Sequence, residues 1–189
     1  CDVNEKTLDE TVTMLRKYNV SVSSHILDVS NKQSIDELPE KVIKDHGKVD
    51  LVFNNAGVGS GSYFKDMDQD NWDWVMGINF EGVINSTRAF LPHMINNSKA
   101  AIVNTSSIFG IVAVPGQTVY HATKFAVRGF TPPGTELGLL NTMNTCTFLQ
   151  IAFPNSFKYV SGQGVTACNP NGVGIAIGPR SCCESRIVL

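Results

Sequence analysis

Val49-Asp50-Leu51-Val52-Phe53-Asn54-Asn55-Ala56-Gly57 decides how the chain folds. Its first five residues are a short, mostly apolar run of the kind buried on both faces of a sheet, and the last four form a tight polar turn. Working backward, Gly47 closes a helical stretch that Ser30-Asn31-Lys32-Gln33-Ser34 opens and that runs to about His46. Before it, residues 20–27 alternate like a strand, and a helix from about Glu5 to Tyr18 carries Leu8, Val12 and Leu15 on one face. Working forward, residues from Asp70 to about His93 are helical in pattern, with Trp72, Val75, Ile78, Val83 and Phe90 as expected core positions. Pro92 fits a helix ending nearby. A strand at Ala101–Ser107 and a helix through Tyr120–Phe130 follow. Strands alternating with helices imply a parallel, doubly wound α/β sheet.

Composition narrows the function. The chain has 189 residues, 42% hydrophobic and 17% charged, with a formal net charge of -2. That describes a single globular domain without the basic excess that nucleic acid or an anionic membrane selects. No apolar run approaches the ~20 residues of a membrane span, and residues 1–6 carry no signal-peptide pattern, so the expected location is cytoplasmic. Five cysteines without C-x-x-C spacing and four histidines without ligand spacing suggest neither a zinc site nor a disulfide framework.

The chemistry concentrates between Ser107 and Lys124. On a helix, Tyr120 and Lys124 stand at i and i+4 and share one face. A phenol beside a fixed cation releases its proton more readily than a free one, which makes a proton-transfer group. Ser107, at the carboxyl end of a strand, lies where open α/β sheets bind ligands, and its hydroxyl can hold a substrate oxygen. Asn54-Asn55-Ala56-Gly57 ends the preceding strand with small residues that admit a flat cofactor closely. Each element also has an ordinary reading: a surface helix pair, a capping serine, a turn. Their joint occurrence favours a site.

Together these motifs resemble the short-chain dehydrogenase/reductase family, which pairs a serine with Tyr-x-x-x-Lys. The resemblance covers about Asp2 to Phe130 and implies a Rossmann-like fold and reversible hydride transfer between a nicotinamide and a secondary alcohol or ketone. It implies Tyr120 as general acid/base, Lys124 as its activator and ribose ligand, Ser107 as orienter of the substrate oxygen, and Asn79 as anchor of a relay water. Asn55, Ala56, Gly57, Tyr120 and Lys124 would line the cofactor, with Asp28 and Val29 near the adenine. Asp2 is either a helix cap or the carboxylate that accepts from the adenosine ribose, which would favour NAD over NADP. The helices holding Asn79 and Tyr120 are the usual association surface of relatives, so a homodimer or homotetramer of the full-length protein is expected. The partner is a small alcohol or carbonyl compound.

Departures from the family pattern are specific. The glycine-rich turn with which members open is not among these residues, so the chain is expected to be a fragment of a longer product. A catalytically silent fragment keeping only the association helices is the alternative. Pro132-Pro133-Gly134 should interrupt the helix after Phe130, and Thr145–Phe153 reads as the next strand. Pro154-Asn155 stands where relatives have Pro-Gly. Residues 1–160 are taken as the nucleotide-binding domain and 161–189 as a divergent segment with no assignable helix.

Overall fold

A computed structural model describes residues 1–97 and 99–131 with their side chains, and beyond them the backbone of the strands between 142 and 188. Helix α1, Glu5–Arg16, starts at Asn4, whose side chain accepts from Thr7 N at 3.2 Å, and it buries Leu8 and Val12. Residues 20–27, expected as a strand, form no ladder. Their one strand-like backbone pairing among the described residues is a single parallel bridge, Asp2 with Ile26. Helix α2, Lys32–His46, is capped by Asn31 and closed by Gly47 at φ 80°, a left-handed geometry that glycine adopts without Cβ strain.

Strand β1, Leu51–Asn54, leads into a loop and then into a helical run from 69 to 94. That run is three pieces: α3 (Gln69–Met76), a π turn (Gly77–Glu81) and α4 (Gly82–Met94). Val75, Val83 and Phe90 are buried as expected, Trp72 and Ile78 only partly, and Pro92 sits inside the last turns of α4. Strand β2, Ala101–Thr105, pairs in parallel with β1, Leu51 opposite Ala101 and Asn54 opposite Asn104. After a single 3-10 turn at Ile108–Gly110 comes α5, Thr118–Phe130.

The sheet order is β5-β4-β3-β2-β1-β8, where β3 is Thr142–Thr145, β4 Leu149–Phe153, β5 Ser156–Val160 and β8 Ile187–Val188. Strands β8, β1, β2 and β3 are parallel, which is the α/β arrangement the alternation implied. The part beyond β3 differs. Of the strand expected over 145–153, Leu149–Phe153 is β4 and Thr145 ends β3; the two pair antiparallel, and residues 146–148 lie outside the described residues. A separate antiparallel pair, β6 (Thr166–Cys168) with β7 (Gly174–Ala176), lies in the segment left without helix. Residues 132–141 and 154–155, with the Pro-Pro-Gly and Pro-Asn readings, lie outside the described residues.

The core sits where α2 and α4 lie against β1 and β2. Ile35, Leu38 and Val42 from α2 meet Phe90 and Met94 from α4 over Val52 and Ile102. Burying side chains of this size stabilises by about 1.5–3 kcal/mol each, which holds the row of helices on the sheet. Consequently the carboxyl ends of β1 and β2 stay side by side, and the loops that leave them face one another.

Candidate active site

Three polar side chains join the strand ends. Asn54 Nδ2 donates to Asn104 Oδ1 at 2.8 Å, Asn104 Nδ2 donates to Thr131 Oγ1 at 2.9 Å, and Thr131 Oγ1 donates to Val127 O at 2.7 Å. Asn104 and Thr131 are buried, so this chain of satisfied bonds locks β1, β2 and the end of α5 together. One residue further out, Thr105 Oγ1 donates to Asn55 Oδ1 at 3.2 Å.

The turn after β2 docks on α5 just as tightly. Ser106 Oγ donates to Lys124 O at 3.0 Å, and Gly110 lies so close that a Cβ would stand 2.6 Å from Ser106 Oγ and 2.7 Å from Lys124 O. Only glycine fits against that backbone oxygen. Gly110→Ala is therefore expected to cost about 1–3 kcal/mol of stability, read as a lower urea midpoint at unchanged slope. Ser107, between these anchors, caps the 3-10 turn: its Oγ accepts from Phe109 N at 3.2 Å. Having accepted there, the hydroxyl keeps its hydrogen for another acceptor.

On α5, Tyr120 and Lys124 share the expected face, with Lys124 Nζ 5.6 Å from the Tyr120 ring centroid. Phe109 meets the Tyr120 ring edge-on at 6.1 Å. Lys124 is only 3% exposed, and its ammonium donates to Thr105 O at 2.9 Å. No carboxylate pairs with it among the described residues. Burial pushes its pKa down, because the charged form loses water without gaining a counter-ion. The cleft thus contains a positive charge in a poorly solvated place, which favours any negative charge that develops beside it.

Asn79 is fully buried in the π turn and does not line the cleft. Its Oδ1 accepts from Val58 N at 2.7 Å, and its Nδ2 donates to Val58 O at 2.9 Å and to Thr123 Oγ1 at 3.2 Å. Both amide hydrogens are committed, so the side chain clamps the loop after Gly57 onto α5. That makes Asn79 a positioning residue for the loop.

A cleft of about 410 Å³ brings together Asn55, Gly57, Ser107, Tyr120 and Lys124 from the expected set. Asp2, Asp28, Val29 and Ala56 lie outside it. Asp28 Oδ1 accepts from Ser30 N and Ser30 Oγ in a local turn, and Val29 packs against Gly82 and the core. Asn4, not Asp2, caps α1; Asp2 is exposed, and its carboxylate accepts from Asn4 N at Oδ1, 2.8 Å, its one side-chain hydrogen bond with the described residues. Thr105, Ser106, Phe109 and Gln117 also line the cleft and were not anticipated. Helical spacing held the signal for Gln117, three residues before Tyr120.

The residues present fit a nicotinamide nucleotide. Lys124 spends one N–H on Thr105 O and has two left for ribose hydroxyls, and Gly57 is exposed beside it, where a Cβ would stand 3.5 Å from Nζ. Among the described residues no cluster of His, Cys, Asp or Glu is placed to hold a metal, and no helix is long and apolar enough to cross a membrane.

The family model for short chain dehydrogenases matches residues 1–135. The 3-oxoacyl-acyl-carrier-protein reductase FabG of Thermotoga maritima is 36% identical over 130 residues, 69% of this chain and 53% of that protein. Among solved structures, a short chain dehydrogenase/reductase of Burkholderia phymatum in complex with NAD is 36% identical with a TM-score of 0.73, covering 77% of this chain and 54% of the other. ElxO with NADP bound is 26% identical with a TM-score of 0.67, covering 76% and 59%. The chain spans about half the length of the curated relatives it matches.

Proposed function

The chain belongs to the short-chain dehydrogenase family of NAD(P)-dependent oxidoreductases, and from that membership we propose that its site interconverts a secondary alcohol and a ketone. The observation that carries this reading is the meeting of Ser107, Tyr120 and Lys124 in one cleft with the Asn55–Gly57 loop. A bound nicotinamide supplies or takes up the hydride. In the reductive direction the Ser107 hydroxyl donates a hydrogen bond to the carbonyl oxygen, and the Tyr120 phenol delivers the proton to that oxygen as charge builds on it. Lys124 stabilises the phenolate left behind, and its spare N–H groups hold the ribose. Reversal makes the Tyr120 oxygen the base that takes the alcohol proton. Asn79 acts through the loop it clamps.

NAD is the favoured cofactor. The exposed Asp2 stands at the end of an extended segment just before α1, and its Oδ2 accepts no hydrogen bond from the described residues. A carboxylate there accepts from ribose hydroxyls and repels a 2′-phosphate. Titration of the chain with NADH and with NADPH, followed by energy transfer from Trp72 and Trp74, is expected to saturate with NADH at least about fivefold more tightly, since a single unfavourable charge contact costs on the order of 1 kcal/mol or more. Binding of neither by a folded sample favours the second reading, a silent chain that keeps the family's association helices. Trp74 on α3 and Phe125 on α5, 49% and 44% exposed, are apolar surface suited to a homodimer or homotetramer.

A further inference from the structure

Ser107 and Tyr120 account for one oxygen of a substrate, yet the cleft contains another polar group with nothing to do. Gln117 lines it beside Ser107, Tyr120 and Lys124, half-buried, and its carboxamide makes no hydrogen bond with any described residue. The residue stands at the N-cap of α5, where Ser, Thr, Asp or Asn would close the helix with a side-chain oxygen; glutamine does not do so here. Its backbone is nevertheless fixed. Ser62 N donates to Gly116 O at 3.0 Å, His121 N donates to Gln117 O at 2.9 Å, and Val114 N donates to His121 Nε2 at 3.2 Å. Room is kept for the amide as well, because a Cβ at Gly61 would come within 3.3 Å of Gln117 Nε2. Gln117, just ahead of α5, and Tyr120, in its first turn, both line the cleft.

We propose that Gln117 is a specificity-determining residue whose carboxamide hydrogen-bonds a second oxygen of the substrate. That oxygen would sit on a carbon next to the reacting carbonyl or one further along, which makes the substrate class hydroxy- or oxo-substituted ketones and the matching alcohols. This rests on the oxidoreductase reading above. In the free enzyme the half-exposed amide is hydrated, so it costs little to keep; a ligand oxygen that replaces the water recovers the bond, and an unsubstituted ketone leaves the amide poorly paired. Discrimination then favours the oxygenated ketone.

The test compares acetoin with butanone as substrates of the wild-type chain and of Gln117→Leu. The ratio of kcat/KM for acetoin over butanone is expected to fall on the order of tenfold in the variant, the effect of one neutral hydrogen bond. A ratio that stays within about twofold overturns the proposal. Heteronuclear NMR supplies a readout that needs no turnover: the side-chain amide signal of Gln117, assigned by its loss in Gln117→Leu, should shift with acetoin and not with butanone. If backbone signals around Ser107 respond to acetoin while the Gln117 amide does not, the second-oxygen subsite is wrong. An amide that shifts in a chain turning over neither ketone with either nucleotide upholds the subsite and sinks the oxidoreductase reading.

Discussion

Tyr120→Phe is expected to lower kcat by about 10²- to 10⁴-fold, the usual share of a positioned acid or base, while NADH affinity changes by less than about twofold. The substitution removes one oxygen and nothing else. Phenylalanine keeps the ring that meets Phe109 at 6.1 Å and that lies under Lys124 Nζ at 5.6 Å, so packing and charge around the cleft persist. Half-buried Tyr120 makes no side-chain hydrogen bond with the described residues, so the variant strands no partner. Steady-state rates with NADH and a ketone, alongside fluorescence titration, separate the two effects. Turnover retained within about threefold would take the proton-transfer role away from Tyr120. A parallel loss of nucleotide binding would instead make it a cofactor ligand.

The reach of sequence reading in this chain follows from which physical constraint each feature obeys. Tyr120 and Lys124 were legible because helical periodicity alone puts i and i+4 on one face, and Ser107 because a strand end in a parallel sheet points at the ligand side. The Asn54–Gly57 turn was legible for the same reason. Asn79 was recognised as the polar exception on its helix, yet the π turn around it was not visible, since one extra residue in a turn leaves the apolar spacing almost unchanged. Its bonds to Val58 and Thr123 are long-range, 21 and 44 residues apart, and no local pattern encodes them. Residues 20–27 have the alternation of a strand, but a ladder requires a neighbour of similar length, and that is a property of the assembled sheet. Gly110 is the clearest case: nothing in Ile108-Phe109-Gly110 announces that a Cβ would collide with a carbonyl on α5, fourteen residues downstream.

Lys124→Met should separate activity from stability. Methionine nearly fills the volume of the lysine stem but removes the charge that stabilises the phenolate and the donors offered to ribose, so kcat is expected to fall about 10²-fold or more. Stability responds in the other sense as pH changes. Because burial lowers the pKa of Lys124 in the folded chain below its value of ~10.4 in the unfolded one, the unfolded state binds more protons between those two values. Below the folded pKa the full cost of burying an ammonium without a carboxylate is present; as pH rises through the window toward the unfolded pKa that cost disappears. Wild type should therefore gain stability on Lys124→Met as pH rises through the window that ends at the unfolded value of ~10.4, whichever of the two is the more stable at pH 7. Urea midpoints of both chains between pH 7 and 10 measure the trend. A difference that does not change with pH would mean that Lys124 titrates in the folded chain as it does in water, so that its charge stands in the cleft at no cost to folding. The activity loss and the pH trend thus test one physical claim, that a cation is kept in the cleft at a cost to folding because proton transfer at Tyr120 needs it.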